Sequence, residues 1–185
     1  YEVRFNDKGE KLSSQEWAEL LEGVEGLLTT WGAPALDASV LSRNSSLKIV
    51  GHAAGSVANI VTPDLYERGV RVTSSNPMMA RTVAETCLMT TLIAMRQMHM
   101  YCQFGNRSEK MVWGYPREAM TVPRDAVFGF WGYGDITKWL IEMLRPFEPK
   151  EMLINSGHLS AEAAAAEGLR KVEFDELFEE SDVIE

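Results

Sequence analysis

The sequence predicts an α/β protein built on parallel sheets and divided into two domains, on three observations. Short apolar runs alternate with segments of helical periodicity, which is typical of parallel sheets covered by helices. Residues 79–104 carry no glycine or proline and predict one long helix, which places a domain junction near residue 76. The stretch "VFGFWGYGDITKWL", residues 127–140, has the outline of a dinucleotide-binding turn, with a strand, closely spaced glycines and a helix.

Composition narrows the functional class. The 185 residues are 45% hydrophobic and 24% charged, which suffices for a core in each of two modest domains. A net charge of -9 argues against a nucleic-acid surface, because phosphate binding needs clustered Lys and Arg. Cys87 and Cys102 lie in one helical stretch, and neither a secretory signal nor a membrane span is evident in the sequence. We therefore expect a cytoplasmic protein with no nucleic-acid or membrane partner.

In the first half of the chain, strands and helices alternate. Ser13 and Glu16 have the spacing of a capping box and predict a helix behind them. A second helix is predicted behind Asp37, and a third between Thr62 and Gly69. Strands are predicted at residues 2–5, 24–31, 47–53 and 70–75.

The predicted long helix, residues 79–104, opens the second half. Six of the ten methionines fall between Met78 and Met100, and this pattern favours burial in a core or a subunit interface over a metal or cofactor site. Residues 104–122 are aromatic, charged and rich in turn residues, so we expect a surface connection there.

The alternation then resumes around the glycine turn. A strand precedes Gly132, and the helix behind the turn should end at Pro146. A strand at 151–155, the helices "SAEAAAAEG" and "FDELFEES" and the start of a further strand follow. The apolar stripe expected on the helix behind the turn consists of Ile136, Trp139, Leu140, Met143 and Leu144.

The glycine turn itself predicts an anion-binding backbone. Gly132 would allow the tight turn and Gly134 the approach of a pyrophosphate, while the amides of Asp135 and Ile136 would donate to phosphate oxygens at the start of the helix. Thr137 stands where a third glycine is expected.

Several motifs in order resemble the D-2-hydroxyacid dehydrogenases, phosphoglycerate dehydrogenase-like enzymes. These are "LKIVGHAAGSVANIV", "ERGVRVTSSN", "TVAET", "GYGDI", "LSAEAAAAEGL" and "FDELFEESDVI", and together they span nearly the whole chain. The resemblance implies a flavodoxin-like substrate domain over residues 1–76. It also implies a dimer-forming long helix and, over residues 77–185, the N-terminal part of a Rossmann-type dinucleotide-binding domain.

The resemblance also implies site residues. The family's loop for the substrate carboxylate falls on Ala54, Gly55 and Ser56, whose backbone amides would be the donors. The cofactor contacts fall on Gly132, Gly134, Asp135 and Ile136, and the implied cofactor is NAD.

Two departures concern the cofactor. Thr137 should crowd the first turn of the helix. Ser156, beside Asn155, occupies the place of the acid that holds the adenosine ribose hydroxyls, so the usual basis for preferring NAD over NADP is missing. We therefore expect a weakened cofactor site with little discrimination against NADP(H).

The third departure concerns catalysis. The family's catalytic arginine, glutamate and histidine would lie beyond the last residue of this sequence, so no catalytic residue is carried over. We expect a C-terminally truncated copy of an enzyme that is inactive alone. Of the histidines, His52 adjoins the substrate loop, and a role other than proton transfer is favoured for it. His158, next to Ser156, is expected to line the adenosine end of the site or to be exposed. His99 shares a helix face with Cys102 but has too few neighbours for a metal site.

Two classes of function remain open. The first is an NAD(P)-dependent dehydrogenase for a small 2-hydroxy or 2-keto acid, working as a homodimer. The alternative is a non-catalytic nucleotide-binding or regulatory protein of Rossmann type.

Overall fold

The computed structural model describes residues 2–7, 11–105 and 120–185 and shows an α/β fold with two parallel sheets. The chain folds as two compact units, Tyr1–Met79 and Ala80–Glu185. None of the helices in the described ranges is long and apolar enough to cross a membrane.

The first unit carries a three-stranded sheet in which neighbouring strands follow the order of the chain, β1-β2-β3, and all pairs are parallel. Leu36, Leu41, Val50 and Leu65 are fully buried on one side of it. The elements are α1 (Ser14–Leu21), β1 (Gly26–Thr29), β2 (Ile49–His52), α2 (Pro63–Glu67), β3 (Arg71–Ser74) and the start of α3 (Asn76–Met95).

Helix boundaries in this unit follow the predicted signals. The Ser13 side chain accepts from the Glu16 amide and the Glu16 side chain accepts from the Ser13 amide, so the predicted capping box is confirmed. The Thr62 hydroxyl caps α2, and Gly69, at φ +69°, takes the left-handed conformation that ends it.

Two predictions for this unit are wrong. Residues 2–5 form no strand; Arg4 donates through its side chain to the Glu22 carbonyl instead, at 2.8 Å. Residues 38–43 form successive turns rather than a helix. The Asp37 carboxylate accepts from the amides of Ser39 and Val40, at 2.9 and 3.0 Å, as an N-cap does. The later amides of Ser42 and Asn44 donate to carbonyls only three residues back, so the α-helical ladder does not continue.

The second unit carries a four-stranded parallel sheet in the order β6-β5-β4-β7. Its elements are the remainder of α3, α4 (Met98–Gly105), β4 (Val127–Trp131), α5 (Asp135–Leu144), β5 (Glu151–Asn155), α6 (Ala161–Ala166), β6 (Arg170–Lys171), α7 (Phe174–Glu180) and β7 (Val183–Ile184). Counted from β4, this is the order 3-2-1-4, which is that of the first half of a Rossmann sheet.

The predicted single helix over 79–104 is two helices. Gln97 lies at φ +53°, in the left-handed region, where the α-helical ladder cannot continue. The Met95 carbonyl, left without an intrahelical donor, accepts instead from the Thr121 amide at 3.1 Å. Most of the predicted connection over 104–122 lies outside the described residues.

Helix α5 packs through a slightly different face from the one predicted. Leu140, Ile141 and Leu144 are buried against the sheet, whereas Ile136 and Trp139 keep 38% and 40% of their surface exposed. The helix is therefore rotated so that Ile141, rather than Ile136 or Trp139, completes the buried stripe.

Candidate functional site

In the first unit, the loop behind β2 lies at the carboxyl end of its parallel strand. The Ser75 amide donates to the carbonyls of both His52 and Ala54, at 3.1 and 3.0 Å, which ties this loop to the end of β3. A Cβ on Gly55 would lie 3.4 Å from the Asn76 side-chain oxygen, so the loop passes close to the start of α3. The loop is therefore held from one side, with Ala54 buried and Ser56 exposed.

Two backbone donors of this loop are available. Among the hydrogen bonds of the described residues, none involves the amide of Gly55 or Ser56 as donor. The Ser56 hydroxyl accepts from the Ala58 amide at 3.3 Å. Adjacent amides without an internal acceptor can bind a carboxylate, which is the chemistry predicted for Ala54, Gly55 and Ser56.

His52 is a structural residue of this edge. The residue is 5% exposed, and its Nδ1 lies 2.9 Å from the Thr29 hydroxyl, across the register pair that joins β1 and β2. This contact fastens the ends of the two strands together beneath the loop.

In the second unit, the glycine turn joins β4 to α5. Gly132, at φ +104°, adopts a conformation that L side chains rarely take, and Gly134 is the N-cap of α5. A Cβ at either glycine would meet nothing within 4 Å, so the backbone faces open space there. The turn thus has the room that a pyrophosphate needs to approach the main chain.

The start of α5 is uncapped. Gly134 provides no side-chain cap, and within the described ranges no acceptor outside the helix is recorded for the amides of Ile136 and Thr137. Asp135 occupies the first turn, and Thr137 is half-buried in the same turn without preventing the helix from forming. The geometry fits the phosphates of a dinucleotide, since unpaired amides and the positive end of the helix dipole both favour an anion.

The side chains around the turn are aromatic. Trp131, directly before Gly132, is 65% exposed and lies edge-on to Phe174, with ring centroids 5.4 Å apart. Tyr133 packs partly against the core below; burial and then the nearby Glu167 raise the pKa of its hydroxyl.

The end of β5 meets the glycine turn directly. The Gly132 amide donates to the Asn155 carbonyl at 2.8 Å, which brings the predicted phosphate and ribose positions together. Ser156 is 9% exposed, and its hydroxyl accepts from the His158 amide at 3.3 Å.

One residue of this region was missed from the sequence. Lys171, at the end of β6, donates to the Leu159 carbonyl at 2.6 Å, so its ammonium group lies against the turn that contains Ser156 and His158. Strand β6 has only two residues and therefore gives no reliable pattern in the sequence. The only feature that could have indicated the site is the presence of a lysine shortly after α6.

The neighbouring Arg170 has a structural role instead. It donates to the carboxylates of Glu151 and Glu176, at 2.8 and 2.6 Å, and to that of Glu180. These bonds, that to Glu151 first, raise the pKa of the guanidinium above its ordinary value. In the part of the chain that the structure describes, no group of three or more His, Cys, Asp or Glu residues could hold a metal ion, and the pair His99 and Cys102 belongs to no such group.

The chain matches one family model. The model describes the catalytic domain of the D-isomer specific 2-hydroxyacid dehydrogenases and matches residues 1–173. No curated protein matches the chain in sequence.

Solved structures share the fold. A phosphoglycerate oxidoreductase from Rhizobium etli is 20% identical, with a TM-score of 0.72 over 94% of this chain and 55% of that chain. The NAD-complexed form of a D-isomer specific 2-hydroxyacid dehydrogenase from Lactobacillus delbrueckii ssp. bulgaricus is 17% identical, with a TM-score of 0.70 over 94% and 51%. An acyclic imino acid reductase in complex with NADPH and D-arginine is 19% identical, with a TM-score of 0.75 over 94% and 53%. The chain thus spans about half the length of these proteins.

Proposed function

Because this chain belongs to the D-isomer specific 2-hydroxyacid dehydrogenase family, we propose that it forms the cofactor- and carboxylate-binding part of an oxidoreductase. The reaction would exchange a hydride between a nicotinamide dinucleotide and a small 2-hydroxy or 2-keto acid. The dinucleotide would supply the hydride, and the residues of this chain would bind and orient the reactants.

The observation that carries the proposal is the glycine turn between β4 and α5, at the centre of a sheet with the order β6-β5-β4-β7. In open α/β sheets, ligands bind beyond the carboxyl ends of the strands where the strand order reverses, and β4 is the strand at that reversal. The backbone of Gly132, Gly134, Asp135 and Ile136 would hold the pyrophosphate, and Ser156 would face the adenosine ribose. NAD is bound by one of the proteins of similar fold and NADPH by another.

The amides of Gly55 and Ser56, with Ala54 shaping the loop, would hold the substrate carboxylate. We assign binding to these residues and no proton transfer, since the ring of His52 is buried and its Nδ1 is engaged with Thr29. The 185-residue chain is accordingly expected to bind the cofactor without turnover. Binding of the cofactor without turnover would also fit the second candidate, a non-catalytic nucleotide-binding or regulatory protein.

Self-association is part of the proposal. The buried residues of α3 include Ala80, Ala84 and Met95, yet the same helix exposes Val83, Met89 and Ile93, at 40%, 52% and 40%. Apolar side chains exposed among the described residues favour an interface, and a homodimer formed through α3 is the simplest closed assembly.

Calorimetric titration with NADH tests the cofactor site. Gly134→Ala adds a methyl group in the open space before α5 at an ordinary φ of -87°, so the fold should be retained while the pyrophosphate is kept from the backbone. We expect NADH binding to weaken at least about tenfold. Gly26→Ala, in β1, is the matched control, because its Cβ would make only an ordinary 3.6 Å contact with Ile49.

Unchanged NADH affinity in Gly134→Ala, or the absence of NADH and NADPH binding by the unmodified chain, would overturn this assignment of the cofactor site.

A further inference from the structure

The turn behind β5 lacks the negative charge that is usual at a ribose-binding position. Residues 155–160, "NSGHLS", contain no carboxylate, although an acid at the end of this strand is what normally receives the ribose hydroxyls and repels a 2′-phosphate. Ser156 provides a hydroxyl at that place, directly joined to the glycine turn through the Asn155 carbonyl. The turn therefore lacks the group that would exclude NADP(H).

The structure adds a cationic group to this turn. The Lys171 ammonium group lies 2.6 Å from the Leu159 carbonyl, three residues beyond Ser156. The exposed ring of His158 belongs to the same turn. The carbonyl that Lys171 bonds carries no net charge, and an exposed lysine has the reach to exchange that carbonyl for a phosphate oxygen.

One carboxylate competes for this lysine. Hydrogen bonds from its own amide and from the Ser160 hydroxyl, together with the charge of Lys171, hold the pKa of Glu162 below its ordinary value. Glu162 is exposed at the start of α6, so its charge is partly screened by solvent. It should weaken the attraction of Lys171 for a phosphate without cancelling it.

We propose that this turn is a 2′-phosphate subsite and that the chain binds NADP(H) in preference to NAD(H). Lys171 and the Ser156 hydroxyl contact the extra phosphate, and His158 lies beside it. This inference rests on the proposed cofactor site at Gly132 and Gly134. It goes further by giving that site a specificity and by assigning the specificity to Lys171.

Titration of the full 185-residue chain with NADPH and NADH tests the subsite. The unmodified chain should bind NADPH more tightly. Lys171→Met, which keeps the apolar stem, should weaken NADPH binding about three- to tenfold, because a charge-assisted hydrogen bond is lost, and leave NADH binding within about twofold. Lys150→Met, at the opposite end of β5, is the matched control and should change neither affinity.

A second pair of variants changes the negative charge near the subsite: one removes a carboxylate and the other introduces one. Glu162→Gln should tighten NADPH binding and leave NADH unaffected, whereas Ser156→Asp should reverse the preference toward NADH. Lys171→Met and Glu162→Gln lie on the surface, so the result stands even if the buried Ser156→Asp variant does not fold.

Equal affinity for the two cofactors, or a Lys171→Met variant that still favours NADPH as strongly, overturns the subsite and leaves the proposed cofactor site intact. If neither cofactor binds, the cofactor site itself is overturned and the subsite with it.

Discussion

Asp135 places a carboxylate in the first turn of α5, where the helix dipole stabilises it and where the pyrophosphate should bind. The same field that favours the side chain in the empty protein makes it a competitor for the ligand. Affinity at this turn is therefore set by a balance between a fixed negative charge and open backbone amides.

Removing that charge should improve binding. Asp135→Asn keeps the size of the side chain, and we expect NADH and NADPH to bind more tightly by about 0.3–1 kcal/mol, the range found for charges near exposed helix ends. The gain should shrink as salt is raised, because screening weakens the repulsion. Calorimetry at low and high salt measures both effects.

Glu142→Gln, in the last turn of the same helix, is the control for a general change in net charge. An Asp135→Asn variant that binds no better than Glu142→Gln, or a gain that is the same at all salt concentrations, would contradict this account.

At the scale of single elements, the break between α3 and α4 depends on the conformation of one residue. Gln97 holds a left-handed backbone that glycine adopts without steric cost. Gln97→Gly should therefore raise the free energy of unfolding by about 0.5–1 kcal/mol. The same substitution inside a continuous helix would lower it by about as much.

Urea unfolding of Gln97→Gly, compared with that of Thr90→Gly within α3, distinguishes a helix break from a continuous helix. The free energy of unfolding should rise in Gln97→Gly and fall in Thr90→Gly. A loss of stability in both variants would restore the single helix predicted for residues 79–104.

Elements with strong local signals were predictable from the sequence, and those set by tertiary context were not. The capping box at Ser13 and the glycine turn at Gly132 depend on residue types that strongly favour these local conformations. The break at Gln97 has no such signature, because glutamine is an ordinary helix former and the Met95 carbonyl is satisfied by the distant Thr121.

The residues of the candidate site likewise fall into those that the sequence could place and one that it could not. The glycines could be placed from their spacing behind a predicted strand, and Ser156 from the resemblance to the family. Lys171 could not, since its relevance comes from the pairing of β5 with β6, which puts Lys171 in register with Ile154. A local sequence pattern cannot predict which residues the pairing of strands brings together.

At the scale of the whole molecule, the exposed apolar face of α3 predicts self-association. Sedimentation at tens of micromolar should show a dimer, because interfaces of standard size are populated at about this concentration. Val83→Lys and Met89→Lys should shift the protein to monomer, since a charge at the centre of an apolar interface is poorly solvated.

Glu179→Lys, on α7, controls for the added positive charge, and circular dichroism should show the same helix content in all variants. A monomer in the unmodified protein, or a dimer unaffected by both substitutions on α3, would count against this interface.

The exposed indole of Trp131 gives the protein a built-in optical reporter. It adjoins Gly132, so a reduced nicotinamide dinucleotide seated on the turn would lie within energy-transfer range of the ring. Tryptophan emits in the band that reduced nicotinamide absorbs, and the oxidised form lacks that band. Binding of either reduced cofactor should therefore quench the intrinsic fluorescence, to which Trp131 contributes, and the redox state of the ligand could be followed without any label.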